Sequence, residues 1–278
     1  MKIKADLHMH TSFSDGVFSP KELIQKCNSK NLNTISITDH DSTESFNEAA
    51  EEAKIFNMEI IPGVELSATD GVKEYHILGY FIDFNNQRLK DYLTFFRLER
   101  VRRAERIVEK LNKLKIPLKF DSVLQKAKGG AIGRPHIAMA LVDEKFISNY
   151  QEAFEKLIGN NCPAYEKKFV MSPEQTIQLI SSAGGLSFLA HPGRQTSSDM
   201  LQSIISAGVD GIEVIHPSHT IELTNHYQNI VSQYFLLGSG GSDFHGGRRN
   251  DDTALGNYFV DSNSIEAMKR RLFSNKVI

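Results

Sequence analysis

The fold class that this sequence predicts is an α/β barrel of parallel strands, interrupted by a helical insertion over about residues 86–170. Short apolar runs alternate with amphipathic stretches at both ends of the chain, the rhythm of parallel strands with covering helices. That rhythm stops near Asn86 and resumes near Ser172. Histidines and acids scattered along the chain fall where predicted strands end, and in a parallel barrel those ends meet on one face. The 278 residues, 40% hydrophobic and 24% charged, suffice for a large α/β domain with an insertion.

Residues 3–7 read as the first strand. Ser19-Pro20-Lys21-Glu22 is a helix start, with Ser as N-cap, Pro at N1 and Glu closing a capping box; the helix runs to about residue 30. A strand over 34–38, a helix over 42–56 and a third strand over 58–61 follow. Residues 75–82, rich in β-branched and aromatic side chains, give a fourth strand. From 86 to 115 the chain reads as one helix, with Leu89, Leu93, Phe96, Ala104, Ile107, Leu111 and Leu114 near helical spacing. Shorter helical pieces reach about residue 158, with Gly129-Gly130 as a break. A second capping box, Ser172-Pro173-Glu174-Gln175, restarts the alternation. Strands follow at 186–190, 211–215 and 235–238 with helices between them, and the run 256–260 and a helix after Ser262 finish the chain. The domains expected are a barrel from 1–85 and 171–278 and a helical, basic insertion over 86–170 that caps the substrate.

Net charge is −2, and pI is near neutral, so overall composition carries no nucleic-acid signature. The insertion differs. Between Arg97 and Lys168 there are 16 Lys/Arg and 9 Asp/Glu, a net of +7, which leaves −9 for the rest. Arg97, Arg100, Arg102, Arg103 and Arg106 cluster within three helical turns, either as a solvated face paired with Glu99, Glu105 and Glu109 or as a grip for a second phosphate. Cys27 and Cys162 make no metal spacing, and low cysteine use suits a cytoplasmic location. The N-terminus is too short and polar before His8 for a signal peptide, and no apolar run approaches the ~18 residues of a membrane span. Neither a membrane nor an obligate protein partner is implied.

Nine residues form the candidate metal set: His8, His10, Asp15, His40, Glu65, His76, His191, Asp243 and His245. His8 and His10 end the first strand two residues apart, so both imidazoles leave the same face. Alone such a pair is a weak signal. Nine donors exceed the needs of one ion and suffice for two or three. Mixed nitrogen and oxygen donors suit Mn²⁺, Fe²⁺ or Zn²⁺ better than Mg²⁺. Divalent ions so held polarise phosphoryl oxygens and lower the pKa of water from ~15.7 toward ~7, which is the machinery of phosphoester hydrolysis by a metal-bound hydroxide.

These residues lie in Asp6-Leu7-His8-Met9-His10-Thr11, Thr38-Asp39-His40-Asp41, Gly63-Val64-Glu65, His76, Ala190-His191-Pro192 and Gly241-Ser242-Asp243-Phe244-His245-Gly246. In that order, over 6–246, they resemble the PHP (polymerase and histidinol phosphatase) family. The resemblance implies a distorted (β/α)7 barrel with a trinuclear centre. By it, His8 and His10 share an ion with Glu65 and Asp243. Asp15, His40 and His245 hold a second, and Glu65 bridges to a third with His76 and His191. The family often has His where Asp15 stands, which bears on metal preference. One branch is similar in Gly133-Arg134-Pro135-His136-Ile137-Ala138 and Tyr165-Glu166-Lys167-Lys168-Phe169: phosphoesterases of nucleoside 3′,5′-bisphosphates and of the 5′ ends of short RNAs. The resemblance implies that Arg134 and His136 hold a substrate phosphate, with Lys168 as a further contact.

Other polar residues have two readings each. Asp39 and Asp41 either orient His40 or, for Asp41, cap the next helix. His216 and His219 follow a strand end and face either substrate or a helix cap at Ser218. His226 falls within a helix and reads as structural. Arg248 and Arg249 either touch phosphate or are exposed. For the leaving alkoxide, a metal-bound water, His219 or His136 is the candidate acid. The expected function is therefore metal-dependent removal of the 3′-phosphate of nucleoside 3′,5′-bisphosphates, with 5′–3′ degradation of short RNA as a companion activity. The alternatives are a histidinol-phosphate phosphatase and, from another class, a non-catalytic metal-binding module of a larger assembly.

Overall fold

The computed structural model describes residues 3–127, 130–169, 171–194, 196–247 and 251–275. They form two compact units, 1–90 with 170–278 and 91–169.

In the first unit, β1 (Ala5–Asp6), α1 (Pro20–Ser29), β2 (Thr34–Ile35), α2 (Phe46–Ile55) and β3 (Glu59–Ile60) come in order. The three strands are parallel, with Ala5 opposite Thr34 and Thr34 opposite Glu59. The expected capping box starts α1: Glu22 N–H donates to Ser19 Oγ, and Ser19 N–H donates to Glu22 Oε2. Leu23, Ile24 and Cys27 of α1 then bury against Ile35, Ile37, Ala49 and Ala53. Burial of each large aliphatic side chain stabilises by roughly 1.5–3 kcal/mol.

A second sheet runs in the order β4 (Gly63–Thr69), β5 (Glu74–Tyr80), β6 (Leu186–Leu189), β7 (Gly211–Ile215), β8 (Leu237–Gly240). The last three strands are parallel, but β5 is antiparallel to both neighbours, against the all-parallel expectation. The cause is a hairpin. Asp70 Oδ1 accepts from the N–H groups of Val72 and Lys73, each at 2.7 Å, and Gly71 adopts φ +94°. Strand β4 itself has no counterpart in the sequence reading. Its Gly, Glu and Ser are poor strand formers, and burial on both faces removes the period-two alternation. The Asp70-Gly71 dipeptide was the available signal.

Neither sheet closes on itself. Single pairings link their edges, Met9 with Phe244 and His40 with Glu65. The run 256–260 contributes only the pairing of Val260 with Ala5. Helices α7 (Pro173–Ser182), α8 (Ser198–Ser206), α9 (Ile221–Gln233) and α10 (Ser262–Asn275) complete this unit, and α7 starts with the expected Ser172/Gln175 box. Among the described residues no helix is long and apolar enough to cross a membrane.

The helix α3 (Gln87–Lys113) runs into the second unit, which adds α4 (Phe120–Ala127), α5 (Arg134–Asp143), α6 (Tyr150–Ala153) and a π-helical turn at Phe154–Ile158. Ile107, Leu111, Val123, Ile137 and Leu141 form its own core.

Candidate metal centre

All nine candidate ligands converge in the first unit. His8 and His10 leave β1 on one face, while Met9 between them turns back to Cys27, 3.6 Å away, and the core. Glu65 is the hub, fully buried on β4. Its Oε2 lies 3.4 Å from His8 Nε2, 3.3 Å from His10 Nε2 and 2.9 Å from His40 Nδ1. Its Oε1 lies 2.9 Å from His76 Nδ1 and 3.1 Å from His191 Nε2. Asp243 Oδ1 stands 3.3 Å from His8 Nε2 and 3.1 Å from His10 Nε2. Asp15 Oδ1 is 3.3 Å from His245 Nε2, 3.9 Å from His10 Nδ1 and 4.0 Å from His40 Nε2. Four overlapping groups result: His10, Asp15, His40 and His245; His8, His10 and Asp243; His8, Glu65 and His191; His40, Glu65 and His76.

The donor set fits divalent ions. His8 Nε2, His10 Nε2, His40 Nδ1, Glu65 Oε2 and His76 Nδ1 are buried and make no hydrogen bond, although carboxylate oxygens lie within 3.4 Å. Within each group the ligand atoms lie within 4.8 Å of one another, close enough to share an ion. Two donors about 2.1 Å from one ion stand about 3.0 Å apart at a right angle and about 3.4 Å at a tetrahedral one. Those spacings match the ones around Glu65 Oε2, Glu65 Oε1 and Asp243 Oδ1, whereas Asp15 stands wider, at 3.9 and 4.0 Å from His10 and His40.

Burial alone would raise Glu65, yet His40, His76 and His8 hold its carboxyl well below the usual range. Asp243 follows the same pattern, with His8, His10 and His216 as the opposing groups. Burial opposes charge on His8, but Glu213, Asp243 and Glu65 lift it well above an ordinary histidine. His76, also opposed by burial, is raised to about 10 by Glu65. Burial, with His245 and His40, pushes His10 down to about 3. In the metal-free chain His8 and His76 thus hold protons at neutral pH, and a bound cation must displace them. The sign follows. Their stabilisation of the metal-free fold is complete below about pH 6.5 and is lost as pH rises through the folded values. Mn²⁺ affinity is therefore expected to climb as pH rises from about 6.5 toward 10. Calorimetry in buffers of different ionisation heat checks this; a binding heat independent of buffer would contradict it.

The PHP domain model matches residues 6–170. The chain belongs to the PHP domain family. Among PHP relatives, the 5′-3′ exoribonuclease Rnm of Escherichia coli is 32% identical over 86% of this chain and 84% of its own length. The 3′,5′-nucleoside bisphosphate phosphatase of Chromobacterium violaceum is 32% identical over 86% of each chain. A solved Bifidobacterium adolescentis protein, provisionally assigned as a metal-dependent phosphoesterase, is 31% identical with a TM-score of 0.86 over 96% of each chain. The present chain is accordingly a metal-dependent PHP phosphoesterase, a hydrolase.

Around the PHP donor set lies a shell that sequence reading found only in part. Glu213, fully buried on β7, accepts from His8 Nδ1–H at 2.9 Å and from His191 N–H at 2.7 Å. An acid in the apolar run Ile212-Glu213-Val214-Ile215 was its signal. The Asp39 carboxylate accepts from Thr11 N–H, Thr11 Oγ1 and Ser14 Oγ, and so fixes the loop after His10. Asp41 does not cap α2, whose N-cap is Ser45, but accepts from Ser67 N–H at 3.2 Å. Asp251 accepts from the N–H groups of His245 and Gly247. His191 and Asp243 have positive φ, 25° and 47°, which costs non-glycine residues about 1–2 kcal/mol each.

His216 Nε2 faces Asp243 Oδ2 at 3.4 Å, and its Nδ1 accepts from Ser218 N–H. Ser218 is not the cap of α9; Thr220 is. His219, the candidate acid and substrate contact, lies between β7 and α9. Its Nδ1–H donates to the Val214 carbonyl at 2.9 Å, and its Nε2 accepts from Gly193 N–H at 3.2 Å. Both ring nitrogens thus bond to backbone.

In the second unit, Arg134 Nη1 donates to Asn160 Oδ1 at 3.1 Å, and its guanidinium lies by the rings of Phe154 and Tyr165. His136 is buried at N3 of α5, where its Nδ1 accepts from Gly133 N–H. Lys168 Nζ sits 5.3 Å from the centroid of Phe96. Part of the arginine cluster is structural: Arg106 and Lys110 pair with Glu166, and Arg103 donates to the Glu166 carbonyl. Arg248 and Arg249 lie outside the described residues.

Proposed function

We propose that this PHP phosphoesterase removes the 3′-phosphate of nucleoside 3′,5′-bisphosphates and also takes short RNA from its 5′ end. The convergence of five imidazoles on Glu65 carries the metal chemistry. The substrate class is supported by the names of the Chromobacterium violaceum and Escherichia coli relatives and by the +7 charge of residues 97–168. A histidinol-phosphate phosphatase would have to bind a cationic amine, which that charge disfavours. A non-catalytic module is disfavoured because all nine donors are present and converge.

In this reading three divalent ions are held: one by His8, His10, Glu65 and Asp243, one by Asp15, His40 and His245, and one by Glu65, His76 and His191. When bound, such ions acidify water and neutralise charge on phosphoryl oxygens. The protein's own part is to fix the donors, and Glu65 spans the set. Arg134 and His136, with Lys168, are read as binding a phosphate of the substrate. The two sheets are read as one distorted (β/α)7 barrel, supported by the pairings of Met9 with Phe244 and His40 with Glu65.

Phosphate release from 3′-phosphoadenosine 5′-phosphate, AMP and histidinol phosphate with Mn²⁺ tests the substrate. The bisphosphate is expected to give the highest kcat/KM. Arg134→Ala should raise its KM by about tenfold, in line with the loss of a charge-assisted hydrogen bond, with little change in kcat. Preference for histidinol phosphate would overturn the reading.

A further inference from the structure

Beside the nine donors that the mechanism above uses stands a fully buried acid, Glu213. A carboxylate between Ile212 and Val214 in a central strand is unfavourable unless both its oxygens are satisfied. They are, and both partners belong to candidate ligands. One oxygen takes the Nδ1–H of His8 and the other takes the backbone N–H of His191. The rings of these two histidines lie stacked, with centroids 5.6 Å apart. The strand is irregular at this point, with a register shift between Glu213 and Ile215 against β8. Such a shift re-aims a side chain.

A carboxylate can only accept here, so His8 must carry its neutral-state proton on Nδ1. That places the lone pair on Nε2, the atom that faces Glu65 Oε2 and Asp243 Oδ1 and makes no hydrogen bond of its own. The opposite tautomer would aim a proton at the same point. The second contact anchors the backbone of His191, whose φ of 25° needs support from its surroundings.

We infer that Glu213 is a positioning residue, which sets the His8 tautomer and pins His191, so that one acid aligns donors of two neighbouring ion positions. The inference rests on the metal-centre reading above. Gln is the informative replacement because it has nearly the same shape and only one acceptor. Its oxygen can serve the His191 N–H, and its NH₂ then faces His8 Nδ1, which must turn acceptor and move the proton to Nε2.

The test uses the full chain, with Mn²⁺ as the calorimetric probe and, as the tautomer probe, ¹⁵N NMR of imidazole-labelled, metal-free protein at a pH above the raised value of His8, where the ring is neutral. Wild type is expected to show His8 protonated on Nδ1. Glu213→Gln should show it on Nε2 and bind Mn²⁺ about 10- to 100-fold more weakly. Glu213→Asp keeps two acceptors and should retain the Nδ1–H form with a smaller loss. A purely structural acid would lower thermal stability without moving either readout. Mn²⁺ affinity within about twofold of wild type in Glu213→Gln, or an unchanged tautomer, overturns the inference. If that variant does not fold, undiminished affinity in Glu213→Asp overturns it instead. A wild type that binds no Mn²⁺ overturns the metal-centre reading as well, whereas wild-type binding that Glu213→Gln leaves unchanged overturns this inference alone.

Discussion

Replacing Glu65 with Gln is expected to lower kcat by about 10³-fold or more while the fold persists. Gln keeps the volume in a fully buried position, so no cavity forms. What changes is charge and donor count. Glu65 Oε2 serves His8, His10 and His40, and Oε1 serves His76 and His191. An amide offers one oxygen to this set and points an NH₂ group at the rest. Metal centres of this kind contribute several kcal/mol to stabilising phosphoryl charge, and ~4 kcal/mol is about 10³ in rate. Steady-state kinetics with far-UV circular dichroism checks the expectation. A folded variant within tenfold of wild type would remove Glu65 from the hub.

Gly241→Ala should act through the backbone and be nearly as harmful. A Cβ at Gly241, just past β8, would sit 2.4 Å from the backbone nitrogen of His8 and 2.6 Å from its Cβ. Neither is the movable end of a flexible side chain. The segment leading to Asp243 and His245 would have to shift away from β1, and the Asp6 contact to Ser242 N–H, 2.9 Å, would go with it. Overpacking of this sort costs about 1–3 kcal/mol. Displacement of the ligands by about 1 Å should also cut activity, by about 10²-fold. Urea unfolding and kcat measured on the same preparation check both parts; a variant with wild-type midpoint and rate would show that the approach is not tight.

The parts of this protein that were legible from sequence are those written in local chemistry. The boxes at Ser19 and Ser172 announced two helices because capping is a four-residue event. Donors such as His8, His10 and His191 could be placed at strand ends because apolar runs stop just before them. What stayed hidden needed tertiary context. Strand β4 does not alternate because both its faces are buried, and so the hairpin that reverses β5 went unseen. Glu213 carries no motif; an acid in an apolar run is a faint signal, and its burial and two contacts are what give it a place. For His219 the position near a strand end suggests substrate, and its bonds to Val214 and Gly193 add a structural task that no local pattern announces. His136 likewise combines its motif with an ordinary task, accepting at the start of α5.

The most direct test of the account is phosphate release by the chain before and after its metal is removed. Dialysis against a chelator should abolish release from a 3′,5′-bisphosphate, and titration with Mn²⁺ should restore it in step with ions bound, with more than one ion per chain at full rate. Release that continues undiminished once metal content has fallen well below one ion per chain would contradict it.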